Sequence, residues 1–334
     1  MHGSSRTHPI FVASETQSKP CCSPSAERSP VAAITTTASE RATTAERRDS
    51  RRPCIALPGG TFLMGTDYER AFPLDGEGPV RPVTLSPFEI DTFPVTNRDF
   101  AKFVDATGYR TESEIFEWSF VFWMHLPPAG LDELVEDTVA AAPWWCKVPG
   151  ADWRHPEGPG SNVNQRQKHP VVHVSWNDAA AYAAWAGKSL PTEAQWEYAA
   201  RGGLEQKLYP WGDELTPDGK HLCNIWQGEF PRVDTGDDGW CGACPVDAFP
   251  PNGFGLYSIT GNVWEWSADW FGTVHDASEP HDPHGPAGGE TKVMKGGSFL
   301  CHASYCNRYR VAARTSNTPD SAASNIGFRC VINL

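Results

Sequence analysis

Glycine and proline interrupt this chain so often that long regular elements have little room to form. The sequence contains 30 glycines and 29 prolines among 334 residues, and long stretches with helical periodicity are scarce. It also contains 14 tryptophans, which require a sizeable core or groove where the polar edges of indole rings find partners. The sequence therefore predicts a compact, loop-rich domain and argues against a solenoid or a coiled coil.

Residues 1–52 differ in composition from the rest of the chain. They are rich in Ser, Thr, Ala and Arg and have almost no aromatic side chains. Such a segment buries too little apolar surface to fold, so 1–52 is predicted to be a disordered tail with no core to join, and 53–334 the folded domain. Neither a signal peptide nor an apolar stretch long enough to cross a membrane is found, which favours a cytoplasmic protein.

Acidic residues dominate the predicted domain. The whole chain has a formal net charge of −13 although its tail is basic. This charge argues against nucleic acid and against anionic membrane surfaces as partners. It suits calcium ions or a basic peptide, and a solvated acidic surface without any partner is the default alternative.

Two cysteines, Cys301 and Cys306, stand in the segment GGSFLCHASYCNRYRVAAR near the C-terminus. Their spacing puts them on opposite faces of a strand and about 140° apart on a helix, so a pair that acts together needs a bend between them. Nearby basic residues would favour the reactive thiolate form; they are His302, Arg308, Arg310 and Arg314. A short structural disulfide and two unrelated buried thiols are the alternatives on spacing alone.

This segment resembles the active-site segment of the formylglycine-generating enzymes, also called sulfatase-modifying factors. The resemblance covers roughly residues 54–334 and includes four further segments: HPVVHVSWNDAAAYAAWAGKSLPTEAQWEYAARGG, NIWQGEFP, PPNGFGLYSITGNVWEW and NTPDSAASNIGFRC. The GNVWEW and GFR signatures occur across the wider superfamily, whereas the double-cysteine segment is specific. The resemblance implies an α+β domain with a variant of the C-type-lectin fold and little regular secondary structure.

The family oxidises the cysteine of a C-x-P-x-R segment in an unfolded sulfatase to Cα-formylglycine, using dioxygen and a thiol reductant. The resemblance implies that Cys301 and Cys306 hold Cu(I), and two thiolates without a third obvious ligand suit that soft ion. A metal-free mechanism in which Cys301 becomes a sulfenic acid is the alternative. Ser298 and Trp264 match residues that line the family's dioxygen pocket.

The resemblance also implies two calcium sites, for which loop carbonyls and carboxylates are suitable donors. The residues that match the first site are Asn224, Ile225, Asp238 and Trp240. Those that match the second site are Ser258, Gly261, Val263 and Glu265. Ser258 departs from the family, where Asn or Asp is usual, so the second site is expected to be the weaker one if that side chain contributes an oxygen.

Cysteine usage bears on the compartment. Eukaryotic members of the family carry disulfides in segments that match Ala183, Ala200 and Val311, so Cys330 has lost its matching partner, which points to a reducing, bacterial cytoplasm. Cys241 and Cys244, with Cys223 nearby, have the spacing of metal ligands. Because a second C-x-x-C is missing, they are predicted to be free thiols and not zinc ligands.

Two other functions compete with the oxidase. One is a non-catalytic paralogue that binds sulfatases, or a lectin-like binding module; such paralogues lack the cysteine pair that this chain has. The other is a non-haem iron oxygenase like the sulfoxide synthases, which need an additional helical domain with a His-rich iron motif. This sequence contains no such domain.

Overall fold

The computed structural model describes residues 23–25, 52–128, 131–275 and 280–334. Most of the tail predicted to be disordered, residues 1–22 and 26–51, lies outside the described residues. Across the described ranges, no helix combines the length and the apolar character needed to cross a membrane.

Short strands make up most of the regular structure. In chain order they are β1 Cys54–Leu57, β2 Gly60–Met64, β3 Arg81–Leu85, β4 Phe88–Asp91, β5 Trp118–Phe122, β6 Asp137–Val139, β7 Ala142–Pro149, β8 Gly228–Glu229, β9 Val233–Asp234, β10 Trp264–Trp270, β11 Lys292–Lys295, β12 Arg314–Asn317, β13 Ile326–Gly327 and β14 Val331–Asn333. The helices are α1 Asn97–Thr107, α2 Glu112–Phe116, α3 Leu131–Leu134, α4 Trp176–Trp185 and α5 Glu193–Arg201.

The strands form small sheets, and none of those described has more than four strands. Their orders are β1-β4-β14, β12-β11-β10-β13, β2-β3, β5-β7-β6 and β8-β9. In the four-stranded sheet, β10 is antiparallel to β11 and parallel to β13. The sheet that holds β10 to β13 positions the segments that carry the candidate site.

The helix starts follow local sequence signals. Ser175 caps α4 and Thr192 caps α5, each in a capping box with the residue three positions later. The Ser-x-x-Asp and Thr-x-x-Gln spacings in the sequence predict both helix starts. Thr96 also caps α1, but the Asp99 carboxylate accepts from the Thr96 hydroxyl and from Arg52 and does not complete the box. Capping depends on neighbours in the chain, which makes it readable from sequence.

The sequence of residues 112–168 shows no clear periodicity and predicts a long irregular loop, but this segment contains regular structure. β5 pairs with β7 over five residues from Trp118 to Phe122, and β6 pairs with the other edge of β7. Their buried aromatic side chains join the main core. The prediction was wrong because the pairing partners lie about 25 residues apart in the chain and β5, being buried, lacks the alternation of a half-exposed strand.

Both described parts of the predicted tail contact the folded domain. Arg52 forms ion pairs with Asp91 and Asp99, so it belongs to the domain and not to the tail. Ser23 is 5% exposed, and the segment 23–25 hydrogen-bonds to Asn317. For these residues the structure differs from the expectation of a tail with no core to join.

A buried histidine makes stability depend on pH. His173 has a positive φ of 58° and is fully buried, with Nδ1 2.8 Å from Ser119 Oγ and Nε2 2.9 Å from the Pro156 carbonyl oxygen. Burial lowers its pKa from 6.5 to about 4. The unfolded chain therefore binds more protons than the native one between these values, and stability is lost as the pH falls from 6.5 towards 4.

Asparagine tolerates the positive φ of this position. We expect His173→Asn to reduce, by about one, the number of protons that the chain takes up on unfolding between pH 4 and 6.5. Urea unfolding at several pH values measures the slope, which should flatten by at most about 1.4 kcal/mol per pH unit. The control is His155→Asn, which replaces a histidine whose side chain is 45% exposed. An unchanged slope in His173→Asn would contradict the assignment.

Candidate active site

Cys301 and Cys306 meet at a tight turn. The backbone N–H groups of Tyr305 and Cys306 donate to the His302 carbonyl oxygen, at 3.0 and 2.8 Å, and close the turn. The two Sγ atoms lie 3.2 Å apart, and both side chains are fully buried. A disulfide would need about 2.05 Å, so these are two facing thiols. The bend predicted from their spacing is confirmed.

Ser298 is fixed beside this turn. Asn325 Nδ2 donates to Ser298 Oγ at 3.0 Å, and the Leu300 N–H donates to the same oxygen at 3.3 Å. The backbone N–H of Ser298 in turn donates to Cys301 Sγ at 3.4 Å. The structure thus places Ser298 in direct contact with one sulfur of the pair, and such a bond favours the thiolate of that sulfur.

Trp264 belongs to the same core cluster as both cysteines. It is fully buried at the start of β10, where it pairs with Ile326 of β13. Its indole Nε1 has no hydrogen-bond partner among the described residues. A buried donor without a hydrogen-bond partner lowers the stability of the fold. The Trp264 N–H is therefore available to a small hydrogen-bond acceptor that enters the core.

An aromatic surface flanks the turn, and sequence analysis missed it. The Tyr305 ring stacks on Phe230 with 4.7 Å between centroids, and Trp144 meets both rings edge-on at 5.1 and 5.4 Å. Trp226 extends this surface, and its backbone N–H donates to the Cys301 carbonyl oxygen at 3.1 Å. These residues come from β7, from the segment around β8 and from the cysteine turn, so no periodicity in the sequence connects them.

The nearby arginines do not act on the cysteines as predicted. Each of them pairs with a buried carboxylate: Arg308 with Asp75, Arg310 with Glu77 and Arg314 with Glu193. Burial also lowers the pKa of His302, which favours its neutral form. The expected cationic surroundings are therefore largely neutralised. The arginines instead fasten the active-site segment to the loop that follows β2 and to α5.

The first predicted calcium group assembles around Asp238. Its carboxylate accepts from the backbone N–H groups of Ile225 and Trp240, at 3.2 and 2.9 Å. The Gln227 amide donates to the Ile225 carbonyl oxygen and, at 3.0 Å, to Asp238 Oδ2. Asn224 lies next to Ile225, and its Nδ2 donates to a neighbouring carbonyl at 2.8 Å. The Asp238 carboxylate and the Ile225 carbonyl oxygen thus lie around the same amide nitrogen, and both are oxygen donors of the kind that a hard cation takes.

The second predicted calcium group has a poorer set of donors. The Glu265 carboxylate already accepts from Arg329 Nε at 2.7 Å and Nη2 at 2.8 Å, and from a buried indole N–H at 2.8 Å. The Ser258 hydroxyl donates to the Val246 carbonyl oxygen at 3.0 Å. The other two members offer backbone carbonyls only. A guanidinium beside Glu265 disfavours a second cation there.

The other cysteines with metal-ligand spacing belong to no cluster of three or more metal-binding side chains among the described residues. Cys223 and Cys244 are buried and Cys241 is exposed, and none of the three forms a disulfide. Burial raises the pKa of the Cys244 thiol to about 12, so this sulfur stays protonated at neutral pH. A protonated thiol is a poor metal ligand.

Comparison with known proteins identifies the family. Residues 39–334 match the family model described as the sulfatase-modifying factor enzyme 1-like domain. A formylglycine-generating enzyme from Thermomonospora curvata is 62% identical over 280 residues, which are 83% of this chain and 92% of that protein. The inactive C-alpha-formylglycine-generating enzyme 2 of Mus musculus is 50% identical over 279 residues, 83% of this chain and 84% of that protein.

The fold leads to the same conclusion. The solved structure of PvdO from Pseudomonas aeruginosa superposes with a TM-score of 0.62 at 25% identity, over 85% of this chain and 95% of that one. The α+β domain with many short strands has the fold of the sulfatase-modifying factor family, as predicted. The chain belongs to the sulfatase-modifying factor family, that of the formylglycine-generating enzymes.

Proposed function

We propose that this protein is a copper-dependent oxidase. It converts the cysteine of a C-x-P-x-R motif in an unfolded sulfatase polypeptide to Cα-formylglycine, with dioxygen as acceptor and a thiol as reductant. The facing pair Cys301 and Cys306, with Sγ atoms 3.2 Å apart, carries this proposal. It is supported by the 62% identity to a protein named formylglycine-generating enzyme.

The overall reaction balances with two electrons from the reductant. A substrate R–CH₂–SH, dioxygen and two reductant thiols give R–CHO, hydrogen sulfide, water and one disulfide. The substrate Cβ is oxidised and loses sulfur, one oxygen atom ends in the aldehyde, and the other ends in water.

The donors present fit Cu(I). Two facing thiols form a soft site of low coordination, and the described ranges contain no cluster of three or more His, Cys, Asp or Glu side chains that could hold a metal. Such a pair favours Cu(I) over Zn²⁺, which normally takes four ligands. Bound between Cys301 and Cys306, Cu(I) would supply the one-electron chemistry that lets dioxygen react.

The protein's own groups prepare the site. Ser298 donates its backbone N–H to Cys301 Sγ, which favours the thiolate that binds metal. Its hydroxyl and the unpartnered Nε1 of Trp264 offer donors to a small oxygen species. The rings of Tyr305 and Trp144 keep an apolar wall against the turn, and such a wall excludes water from reactive groups.

A non-catalytic sulfatase-binding paralogue is the alternative. The relative named inactive shows that 50% identity alone does not separate the two. The buried, facing thiols favour the enzyme, because a binding module has no use for a preformed dithiol turn. None of the eight described cysteines forms a disulfide with another described cysteine, which fits the reducing cytoplasm proposed as the compartment.

Incubation with a short C-x-P-x-R peptide tests the proposal. With Cu(I), a thiol reductant and air, we expect a hydrazide-reactive aldehyde on the peptide and one hydrogen sulfide per aldehyde. The same peptide under argon, and a peptide with serine in place of the cysteine, should give none. If the complete mixture forms no aldehyde although the peptide binds, the protein is a non-catalytic sulfatase-binding paralogue and not an oxidase.

Calcium is proposed to stabilise the fold and to take no part in the oxidation. A ligand that binds only the native state raises stability by mass action. We expect EGTA to lower the Tm of the native protein, and Asp238→Asn to remove most of that response because a carboxylate ligand is lost. Asp237→Asn, at the exposed neighbouring position, is the matched control. If EGTA lowers the Tm of Asp238→Asn as much as that of the native protein, Asp238 does not bind calcium at the first site.

A further inference from the structure

The side chain of Asn317 binds a short piece of the tail. Asn317 Nδ2 donates to Ser23 Oγ and to the Pro24 carbonyl oxygen, both at 2.9 Å. Its Oδ1 accepts from the Ser25 hydroxyl at 2.7 Å and from the Thr318 N–H at 2.9 Å. Both amide hydrogens and both oxygen lone pairs of this side chain are thus in use.

Three of these four bonds come from the segment 23–25. Asn317 is fully buried at the end of β12, and a buried amide that loses its partners costs about 1–3 kcal/mol. This position is therefore built to hold a peptide that offers a carbonyl oxygen between two hydroxyl groups. The contact with the Pro24 carbonyl uses only backbone, so other peptides of the same shape can make it.

The sequence around this segment matches the motif of the proposed substrate. Residues 22–26 read Cys-Ser-Pro-Ser-Ala, which is C-x-P-x-R with alanine in place of the arginine. The three residues that Asn317 holds are the x, P and x of that pattern. The chain thus contains, in its own sequence, a segment that resembles the substrate motif but lacks the arginine.

The segment 318–325 joins the Asn317 position to the active site. The chain continues from Asn317 to Asn325, and the residues from 321 to 325 are all buried. At its far end, Asn325 donates to the hydroxyl of Ser298, which contacts Cys301. The Asn317 side chain, which binds the peptide, and the cysteine turn thus contact opposite ends of the same segment, 317–325.

We propose that Asn317 belongs to the substrate-peptide site and that the chain's own segment 23–25, which stands within the motif-like sequence 22–26, is an intramolecular pseudosubstrate for it. This inference rests on the proposed function, because the motif is the substrate's. A tethered segment has a high effective concentration, so it covers the site in most molecules and lowers the apparent affinity for a substrate. Without the arginine, it yields to a true C-x-P-x-R segment.

Binding of an inert peptide tests this in the full-length protein. The probe is a fluorescein-labelled peptide with the core Ser-Ala-Pro-Ala-Arg, in which serine replaces the reactive cysteine. Ser23→Ala/Ser25→Ala removes two hydroxyls from the tail, and we expect its Kd for the probe to be about tenfold lower than that of the native chain. Ala26→Arg completes the motif in the tail, and we expect the Kd to rise several-fold.

The matched control is Thr35→Ala/Thr37→Ala, which removes two hydroxyls elsewhere in the tail and should leave the Kd unchanged. Equal affinity of the native chain and both test variants overturns the pseudosubstrate, and so does a complete lack of probe binding. Because the probe cannot be oxidised, these outcomes are independent of turnover. A failure of the aldehyde assay with intact probe binding would instead count against the proposed oxidase.

Discussion

Replacing either Cys301 or Cys306 with serine should abolish tight Cu(I) binding and reduce kcat/KM for a C-x-P-x-R peptide by at least about 10³-fold. A hard hydroxyl is a poor substitute for a soft thiolate, and the two sulfurs face each other within 3.2 Å. Competition with a chromogenic Cu(I) chelator measures binding, and aldehyde formation measures turnover. The two single variants should be equally impaired, because one thiolate alone does not make a two-coordinate site.

Control substitutions separate this effect from a general loss of thiols. Cys241 is exposed, so Cys241→Ser should bind copper and turn over like the native protein. Cys330 is fully buried just before β14, where its backbone N–H donates to Asp91, so Cys330→Ser tests the effect of a change at another buried cysteine. A Cys306→Ser variant with native copper affinity and native rate would refute the two-thiolate mechanism.

Arg310→Ala should lower the free energy of unfolding by about 3–5 kcal/mol. Arg310 pairs with Glu77 through both terminal nitrogens, and both side chains are at most 1% exposed. Removing the guanidinium leaves a buried carboxylate without its cation. Urea unfolding measures the loss, and the Tm should fall by roughly 10 °C.

An exposed ion pair and a double substitution make this prediction specific. Lys207 and Asp213 are about half exposed, so Lys207→Ala should cost no more than about 1 kcal/mol. Arg310→Met/Glu77→Leu replaces the buried pair by apolar side chains of similar size and should recover most of the stability. If the double variant is as unstable as Arg310→Ala, the loss comes from packing and not from the unpaired charge.

Local features of this molecule could be predicted from the sequence. The spacing of Cys301 and Cys306 requires a bend, and the structure has one. The capping boxes at Ser175 and Thr192 are set by neighbours three residues apart. The fold itself followed from resemblance, since short strands separated by Gly and Pro carry little periodicity of their own.

Long-range pairings could not be predicted. The carboxylates that neutralise Arg308 and Arg310 lie 233 residues away in the chain, and nothing local to the arginines indicates them. The basic residues near the cysteines therefore predicted a positive electrostatic potential at the two sulfurs. In the folded protein the paired carboxylates neutralise most of that potential. The aromatic surface at Tyr305 and the contact of Ser23 with Asn317 were missed for the same reason.

Copper titration followed by turnover in the same samples tests the central claim most directly. Copper-free protein is loaded stepwise with Cu(I), and each sample is then given the C-x-P-x-R peptide, reductant and air. The two-thiolate oxidase predicts one tightly bound Cu(I) per chain and an aldehyde yield that rises with copper up to that equivalence and then stays level. Full turnover by copper-free protein, or tight copper binding that persists in Cys301→Ser, would contradict it.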